Sequence, residues 1–283
     1  MRKNPLLVCL MLLTSVLFIS CKKESFEPAR LLVANFSLTP PLSPSPLPTA
    51  GFPIDVRWDG AFIIPSIIYG AASITTGSPL LSVSAAQFVT ANYAQVKSGA
   101  YGLNFAISGQ GGANGVTIYN RTTSFLPGRS YSAIAFDFNP LYKTIIMEDD
   151  LAAPPAGKIK VRFIHAIPQN ILASLPRKDT IDVTASGGAL SNPLINSSVF
   201  SLRNFADAYS NIRLHQYAIL DSGSYNLGFR IAGTPGTSQA TGLVGFFPNQ
   251  RLREGKIYTI IARVNIPGLP MGAPAGLTII THN

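Results

Sequence analysis

Three histidines stand in this chain of 283 residues, His165, His215 and His282. A zinc site needs three or four His, Cys or carboxylate ligands gathered at one point. No H-x-x-x-H spacing occurs, and the two cysteines, Cys9 and Cys21, both fall near the N-terminus. Neither a metal nor another cofactor is therefore expected, and His165, inside an apolar stretch, reads as a hydrogen-bonding partner of a neighbouring strand or loop. Serine nucleophiles of one common kind sit in a G-x-S-x-G elbow, and the chain has none. The stretch "SGQGGANG" (108–115) fits neither G-x-G-x-x-G nor G-x-x-x-x-G-K, and no helical pattern follows it. The acidic run "MEDD" (147–150) offers oxygens that suit calcium, but it lacks the spacing of a dedicated loop and reads as a solvated linker. Hydrolysis of a glycan or peptide would require Asp55, Asp59, Asp179 and Asp182 to converge in a cleft. Trp58, the one tryptophan, either stacks on a sugar or fills its own core. No catalytic residue is assigned, and a non-enzymatic protein is expected.

The elements that must position these residues are announced by a repeated phrase. "YAQVKSGAYGLNFAISG" (93–109) returns as "YAILDSGSYNLGFRIAG" (217–233). In each copy the apolar residues fall on every second position: Tyr101, Leu103, Phe105, Ile107, and then Tyr225, Leu227, Phe229, Ile231. That period of two predicts a β-strand with one face on a core. Other segments double as well. "LLVANFSLTP" (31–40) lies against "IKVRFIHAIP" (159–168), "PIDVRWDG" (53–60) against "TIDVTASG" (180–187), and "LPGRSYSAIAF" (126–136) against "REGKIYTIIAR" (253–263). "KTIIMED" (143–149) matches "LTIITHN" (277–283), giving offsets of 128, 127, 124, 127 and 134 along the chain. Asp55 and Asp182 occupy matching places and are expected to close a turn. Tyr93 and Tyr217, each six residues before a glycine, read as core aromatics.

This is one unit duplicated in tandem, and no stretch carries a sustained helical period. The predicted class is all-β: two tandem immunoglobulin-like β-sandwich domains, since several short alternating strands with turn signals between them fit that plan. The expected divisions are 1–21 for a signal, 22–29 for a tether, 30–150 for the first sandwich, 151–157 for a linker and 158–283 for the second. Candidate ligand-facing positions are Trp58, Gly111 and Asn114 in one Gly-rich tip, Thr237 in the other, and the pair Arg177-Lys178. The Pro-rich loop (40–53) and the tips (108–115, 232–242) are the expected docking places, because rigid scaffolds carry function on their loops.

The opening "MRKNPLLVCLMLLTSVLFISC" has a positive end, an apolar run from Leu6 to Ile19, and a small residue before Cys21. The run is too short for a spanning helix, which needs ~20 apolar residues. Its end resembles the lipobox of bacterial lipoproteins, with Phe18 where that family prefers Leu. The resemblance implies cleavage before Cys21, lipidation of Cys21, and anchorage to the outer membrane on its periplasmic or cell-surface side. "CKKES" is similar to the start of many lipoproteins of the Bacteroidetes.

Charge is uneven. Residues 30–150 hold six Lys or Arg and six Asp or Glu, whereas residues 151–283 hold twelve against five, a net of +7. The basic residues are scattered, and no nucleic-acid-binding pattern appears, so nucleic acid is not an expected partner. They read as ordinary solvated strand faces, with an anionic glycan as the competing interpretation.

Taken in order, "VRFIHAIP", "TIDV", "YAILDSGSYNLGFRIAG" and "EGKIYTIIA" resemble the bacterial family called domain of unknown function 4397. The resemblance lies mainly over 158–283. It implies immunoglobulin-like sandwiches in secreted and lipid-anchored proteins, and it implies no activity. The expected function is a non-catalytic binding or structural module of the cell envelope, with an envelope protein or a glycan as partner. An accessory subunit of an outer-membrane uptake or secretion complex is the alternative, ahead of a glycan- or peptide-active hydrolase.

Overall fold

A computed structural model describes residues 27–38, 51–67, 86–108, 116–138, 142–167, 180–187, 203–204, 216–231, 243–264 and 275–283. The described residues form strands and turns and no helix. In the first repeat the strands are β1 (Ala29–Leu38), β2 (Ile54–Trp58), β3 (Ala61–Ile67), β4 (Ala86–Thr90), β5 (Ala94–Val96), β6 (Gly99–Ile107), β7 (Thr117–Phe125), β8 (Ser130–Phe138) and β9 (Lys143–Glu148). In the second they are β10 (Lys158–His165), β11 (Thr180–Gly187), β12 (Arg203–Asn204), β13 (Ala218–Asp221), β14 (Gly223–Ile231), β15 (Leu243–Leu252), β16 (Ile257–Val264) and β17 (Ala275–Thr281).

Four sheets result. Each repeat has an outer sheet, ordered β3-β2-β6-β7 in the first and β12-β11-β14-β15 in the second. Each also has an inner sheet, β5-β1-β8-β9 and β13-β10-β16-β17. Alternation decides the faces. On β1, Leu31 and Val33 join Val56, Trp58, Leu103 and Phe105 in the core between the first pair of sheets. The intervening Leu32, Ala34 and Phe36 join a larger cluster shared with the second repeat. Both inner sheets are thus covered on both faces, which is why β1, β10 and β16 are buried almost end to end. Their near-continuous apolar runs follow from that double cover. β1 pairs in parallel with β8, and β10 with β16.

Turns and corners are duplicated along with the strands. Before β8, the Arg129 N–H donates to Leu126 O; before β16, Lys256 N–H donates to Arg253 O, both at 3.3 Å. The third residue of each turn is glycine, Gly128 at φ 68° and Gly255 at φ 74°, the position where such a turn requires a left-handed backbone. Tyr131 and Tyr258 close the corner: their hydroxyls accept from Leu126 N–H (3.0 Å) and Arg253 N–H (2.8 Å).

The pairings correct two sequence offsets. Leu32 stands opposite Ser132 and Arg162 opposite Thr259, so the first strands correspond at an offset of 130 rather than 128. Ser132 stands opposite Met147, and Thr259 opposite Ile280, so the last strands correspond at an offset of 133 rather than 134. A shift of one residue moves every side chain to the other face. Asp149, rather than the exposed Glu148, is therefore the structural counterpart of His282, and both point toward the opposite repeat.

The repeats also interlock. β4 belongs to the first repeat by sequence but pairs in parallel with β17, from Leu277 opposite Ala86 to Thr281 opposite Thr90. The Ala91 N–H extends the ladder by donating to Thr281 O at 2.7 Å. The strand covers an edge that would otherwise present unpaired backbone groups.

Gly276 on β17 lies against the buried Arg263, and a Cβ there would stand 2.3 Å from the guanidinium Nη1. Arg263 is held by Thr278 Oγ1 (3.0 Å) and Val264 O (3.2 Å) and is completely buried. Gly276→Ala should therefore destabilise the protein by about 1–3 kcal/mol, read from the midpoint of urea unfolding. An unchanged midpoint would mean that the guanidinium moves aside freely.

Candidate functional site

Among the described residues, a gathering of buried ionisable side chains lies between the two inner sheets. Arg162 on β10 meets Asp149, just past β9, at 2.6 Å, with side-chain exposures of 1% and 0%. The offsets established above place Asp149 and His282 at equivalent positions, as they do Ser132 and Thr259, and Tyr93 and Tyr217. The two repeats thus face each other with equivalent positions carrying complementary groups.

A single assignment of protons satisfies the hydrogen bonds of this circuit. Arg162 Nε donates to Thr259 Oγ1 at 2.7 Å, leaving the threonine hydroxyl to donate to His282 Nε2 at 2.7 Å. His282 Nδ1 then carries the hydrogen and donates to the Tyr93 hydroxyl, also at 2.7 Å. Tyr93 donates onward to Asp149 Oδ2 (2.7 Å), and Ser132 gives that oxygen a second bond (2.8 Å). Arg162 Nη2 closes the loop on Ser132 Oγ at 3.0 Å, and the guanidinium carbon sits 4.9 Å from the centre of the Tyr217 ring. The circuit requires a neutral His282. A second ring proton, on Nε2, would point at a hydroxyl already committed as donor.

The electrostatics agree. Burial and then the positive charge of Arg162 push the His282 imidazole down to about 4, against a smaller opposing pull from Asp149. Burial pushes the Tyr217 phenol up to about 12, and Arg162 opposes the rise. Burial and the Asp149 carboxylate raise the Tyr93 phenol well above its ordinary range. At the margin, Lys160 Nζ reaches Asp150 at 2.7 Å and holds that carboxyl below its usual range. A Tyr-His-Asp-Ser grouping of this composition could relay protons, but here the groups are turned on one another in a joint rather than toward a cleft.

This overturns the reading of the basic residues as solvated strand faces for three of them, whereas Arg251 and Arg253 are exposed as expected. Lys160 (8%), Arg162 (1%) and Arg263 (0%) are buried. Sequence reasoning missed the joint because a basic residue alternating with apolar ones looks like an outward face; here that face is covered by the other repeat. Tyr93 and Tyr217 are not simple core aromatics either, since both belong to the joint. His165 makes the expected structural bond, its Nδ1 accepting from Ile167 N–H at 3.2 Å.

Trp58 is corrected from a ligand-facing position to a core one: it is 3% exposed, stacked 4.7 Å from Phe125 and edge-on to Tyr101 at 5.4 Å. Asp55 accepts from Ser66 N–H (2.9 Å) and the Ser108 hydroxyl (2.5 Å), a structural role. Asp59 takes a left-handed φ of 52° in the turn after β2. The extended backbone of β2 sets the Cα atoms of these two residues about 13 Å apart. The side chains of Asp179 and Asp182 lie outside the described residues, as do Cys21, Gly111, Asn114, Arg177, Lys178, His215 and Thr237. Among the described residues no group of three metal-ligating side chains occurs.

A second feature is open to solvent. Where β14 begins and β15 ends, Ser222, Gly223, Ser224, Arg251, Arg253 and Glu254 line a basin of about 670 Å³ over Leu252.

Residues 76–171 match the family described as Domain of unknown function (DUF4397). The match confirms the resemblance read from the motifs but covers about a third of the chain and lies elsewhere than expected. It runs from before β4 through β10, and of the four motifs only "VRFIHAIP" (161–168) falls inside it. The DUF4397 segment nonetheless contains Tyr93, Ser132, Asp149 and Arg162, four members of the joint. No curated protein matches the chain.

Two outcomes follow for the joint. Asp149→Asn leaves the buried Arg162 without a counter-charge and should cost about 3–5 kcal/mol, with much of it recovered in an Asp149→Leu, Arg162→Met double variant. Denaturant unfolding of all three forms checks this. The depressed His282 gives a stability that is full above pH 6.5 and lost as pH falls toward 4, because only the unfolded chain binds the proton in that window. At about 1.4 kcal/mol per pH unit the loss is about 3 kcal/mol. His282→Gln should flatten that part of the stability–pH curve.

Proposed function

We propose that the protein is a lipid-anchored module of the cell envelope: two tandem immunoglobulin-like β-sandwiches that follow a lipoprotein signal peptide and bind or hold a partner without catalysis. The observation that carries this reading is the joint. Its ionisable side chains and hydroxyls are spent on fastening one repeat to the other, and the product is a rigid body that presents turns and strand ends.

Several features support the parts. The paired sheets with a common core and the corner tyrosines, Tyr131 and Tyr258, are in keeping with immunoglobulin-like construction. β1 begins at Ala29, eight residues after Cys21, so a lipid there would leave only a short tether, which favours a body held near the membrane. The match to DUF4397 names no activity and is consistent with a binding role.

The test is metabolic labelling with an alkynyl palmitate, combined with membrane fractionation of the full chain and of Cys21→Ala. The expected result is a labelled, membrane-bound protein that loses label and sediments poorly once Cys21 is replaced. A wild-type protein that is unlabelled and soluble would overturn the anchor. Crosslinking in intact cells then asks for the partner, and a protein recovered stoichiometrically would define it as an envelope subunit.

A further inference from the structure

The two repeats carry the same backbone corner with different chemistry on it. In the second repeat Leu252 pairs with Gly223 and Arg251 with Ser224. In the first, Phe125 pairs with Gly99 and Ser124 with Ala100. The corner hydrogen bonds extend the correspondence to Arg253 and Leu126, each of which donates its N–H to a corner tyrosine. The fold therefore accepts Ser124 and Leu126 where the second repeat has Arg251 and Arg253, and it does not need a guanidinium at either place.

Four other basic residues of the second repeat have structural work. Lys158 pairs with Asp221 (2.6 Å), Lys160 with Asp150 (2.7 Å) and Arg162 with Asp149 (2.6 Å). Arg263 is buried. Arg251 and Arg253 are exposed, line the basin, and make no ion pair among the described residues. Glu254, the basin's one carboxylate, is turned to the Gly157 N–H at 2.5 Å. Arg251 lies at the end of β15 and Arg253 just past it; in extended backbone, residues two apart share a face and stand about 7 Å from one another. Two guanidiniums so placed, beside the Ser222 and Ser224 hydroxyls, make a donor-rich rim for charged oxygens held along a chain.

We infer that this basin binds an anionic polysaccharide through its carboxylate or sulfate groups, an inference that rests on the binding-module reading above and supplies its ligand class. Guanidinium forks take such groups through paired, charge-assisted hydrogen bonds. A polysaccharide fits better than a lipid surface, because Leu252 is buried and the rim has no exposed aromatic or aliphatic side chain to enter a membrane.

The test uses the exported chain lacking only its signal and lipid, with polygalacturonate, heparin, neutral dextran and anionic phospholipid vesicles as probes, measured by calorimetry at low and raised salt. Binding to one of the two anionic glycans, weakened by salt and lost by about tenfold or more in Arg251→Ser, Arg253→Leu, is the expected result. That double variant installs the residues of the first repeat, and its unfolding midpoint shows that the fold is kept. The converse variant, Ser124→Arg, Leu126→Arg, should add affinity at the first corner. Anionic-glycan binding that survives the double variant overturns the basin while leaving a binding module. Preference for the vesicles, or equal binding of dextran, overturns the ligand class. No binding to any probe overturns the inference, whereas the anchor and partner experiments judge the broader function independently.

Discussion

A guanidinium and a carboxylate, 2.6 Å apart and shut away from water, dictate what can surround them. Separating such a pair from solvent is costly, and the cost is offset only when the remaining donors and acceptors also find partners. The surrounding hydroxyls supply partners for Arg162 Nε and Nη2 and for Asp149 Oδ2, and the imidazole ties two of those hydroxyls together. They come from both repeats, while Arg162 Nη1 is left without a hydrogen bond among the described residues. The joint is therefore an all-or-none arrangement. Removing one member strands the next, and neither inner sheet could present its half to water in the same geometry.

That constraint explains a division of labour between the copies. At equivalent positions the first repeat offers Asp149 and Ser132, and the second offers His282 and Thr259. Two identical copies of the second repeat would set histidine against histidine and add a second buried arginine without a counter-ion. Divergence at the joint makes the order of the repeats meaningful. Divergence at the corner, where Ser124 and Leu126 answer to Arg251 and Arg253, leaves the fold untouched and changes only what the surface can hold.

Much of the strand framework was readable because alternation is a local signal. The phrases beginning at Gly99 and Gly223 became β6 and β14, and the glycines at 128 and 255 sit in the turns that need them. The final strands were misaligned for a physical reason. "KTIIMED" and "LTIITHN" share the most letters at an offset of 134, but a sheet is organised by faces, and the pairing with β8 and β16 sets 133. That one step hid the equivalence of Asp149 and His282, and with it the joint. Arg162 was equally hard to read, since "KIKVRF" (158–163) has the alternation of a strand half in water. Trp58 gave no local hint of whether it faced a ligand or Phe125. β4 is five residues long, and its partner lies almost two hundred residues away, beyond the reach of any local pattern.

The crossing of β4 changes what the linker means. Residues 150–157 look like the hinge between two bodies, yet they are pinned: Ser222 N–H donates to Gly157 O at 3.0 Å, and Lys160 Nζ donates to Asp150 Oδ2 at 2.7 Å. More tellingly, the linker is not what keeps the bodies together. A protease that cut the chain there would leave each fragment incomplete, the N-terminal piece still laced by β4 along the C-terminal strand of the other. The severed halves would behave as a tightly held heterodimer whose interface includes backbone ladder as well as side chains. Topologically, this is a protein that has exchanged an arm with itself.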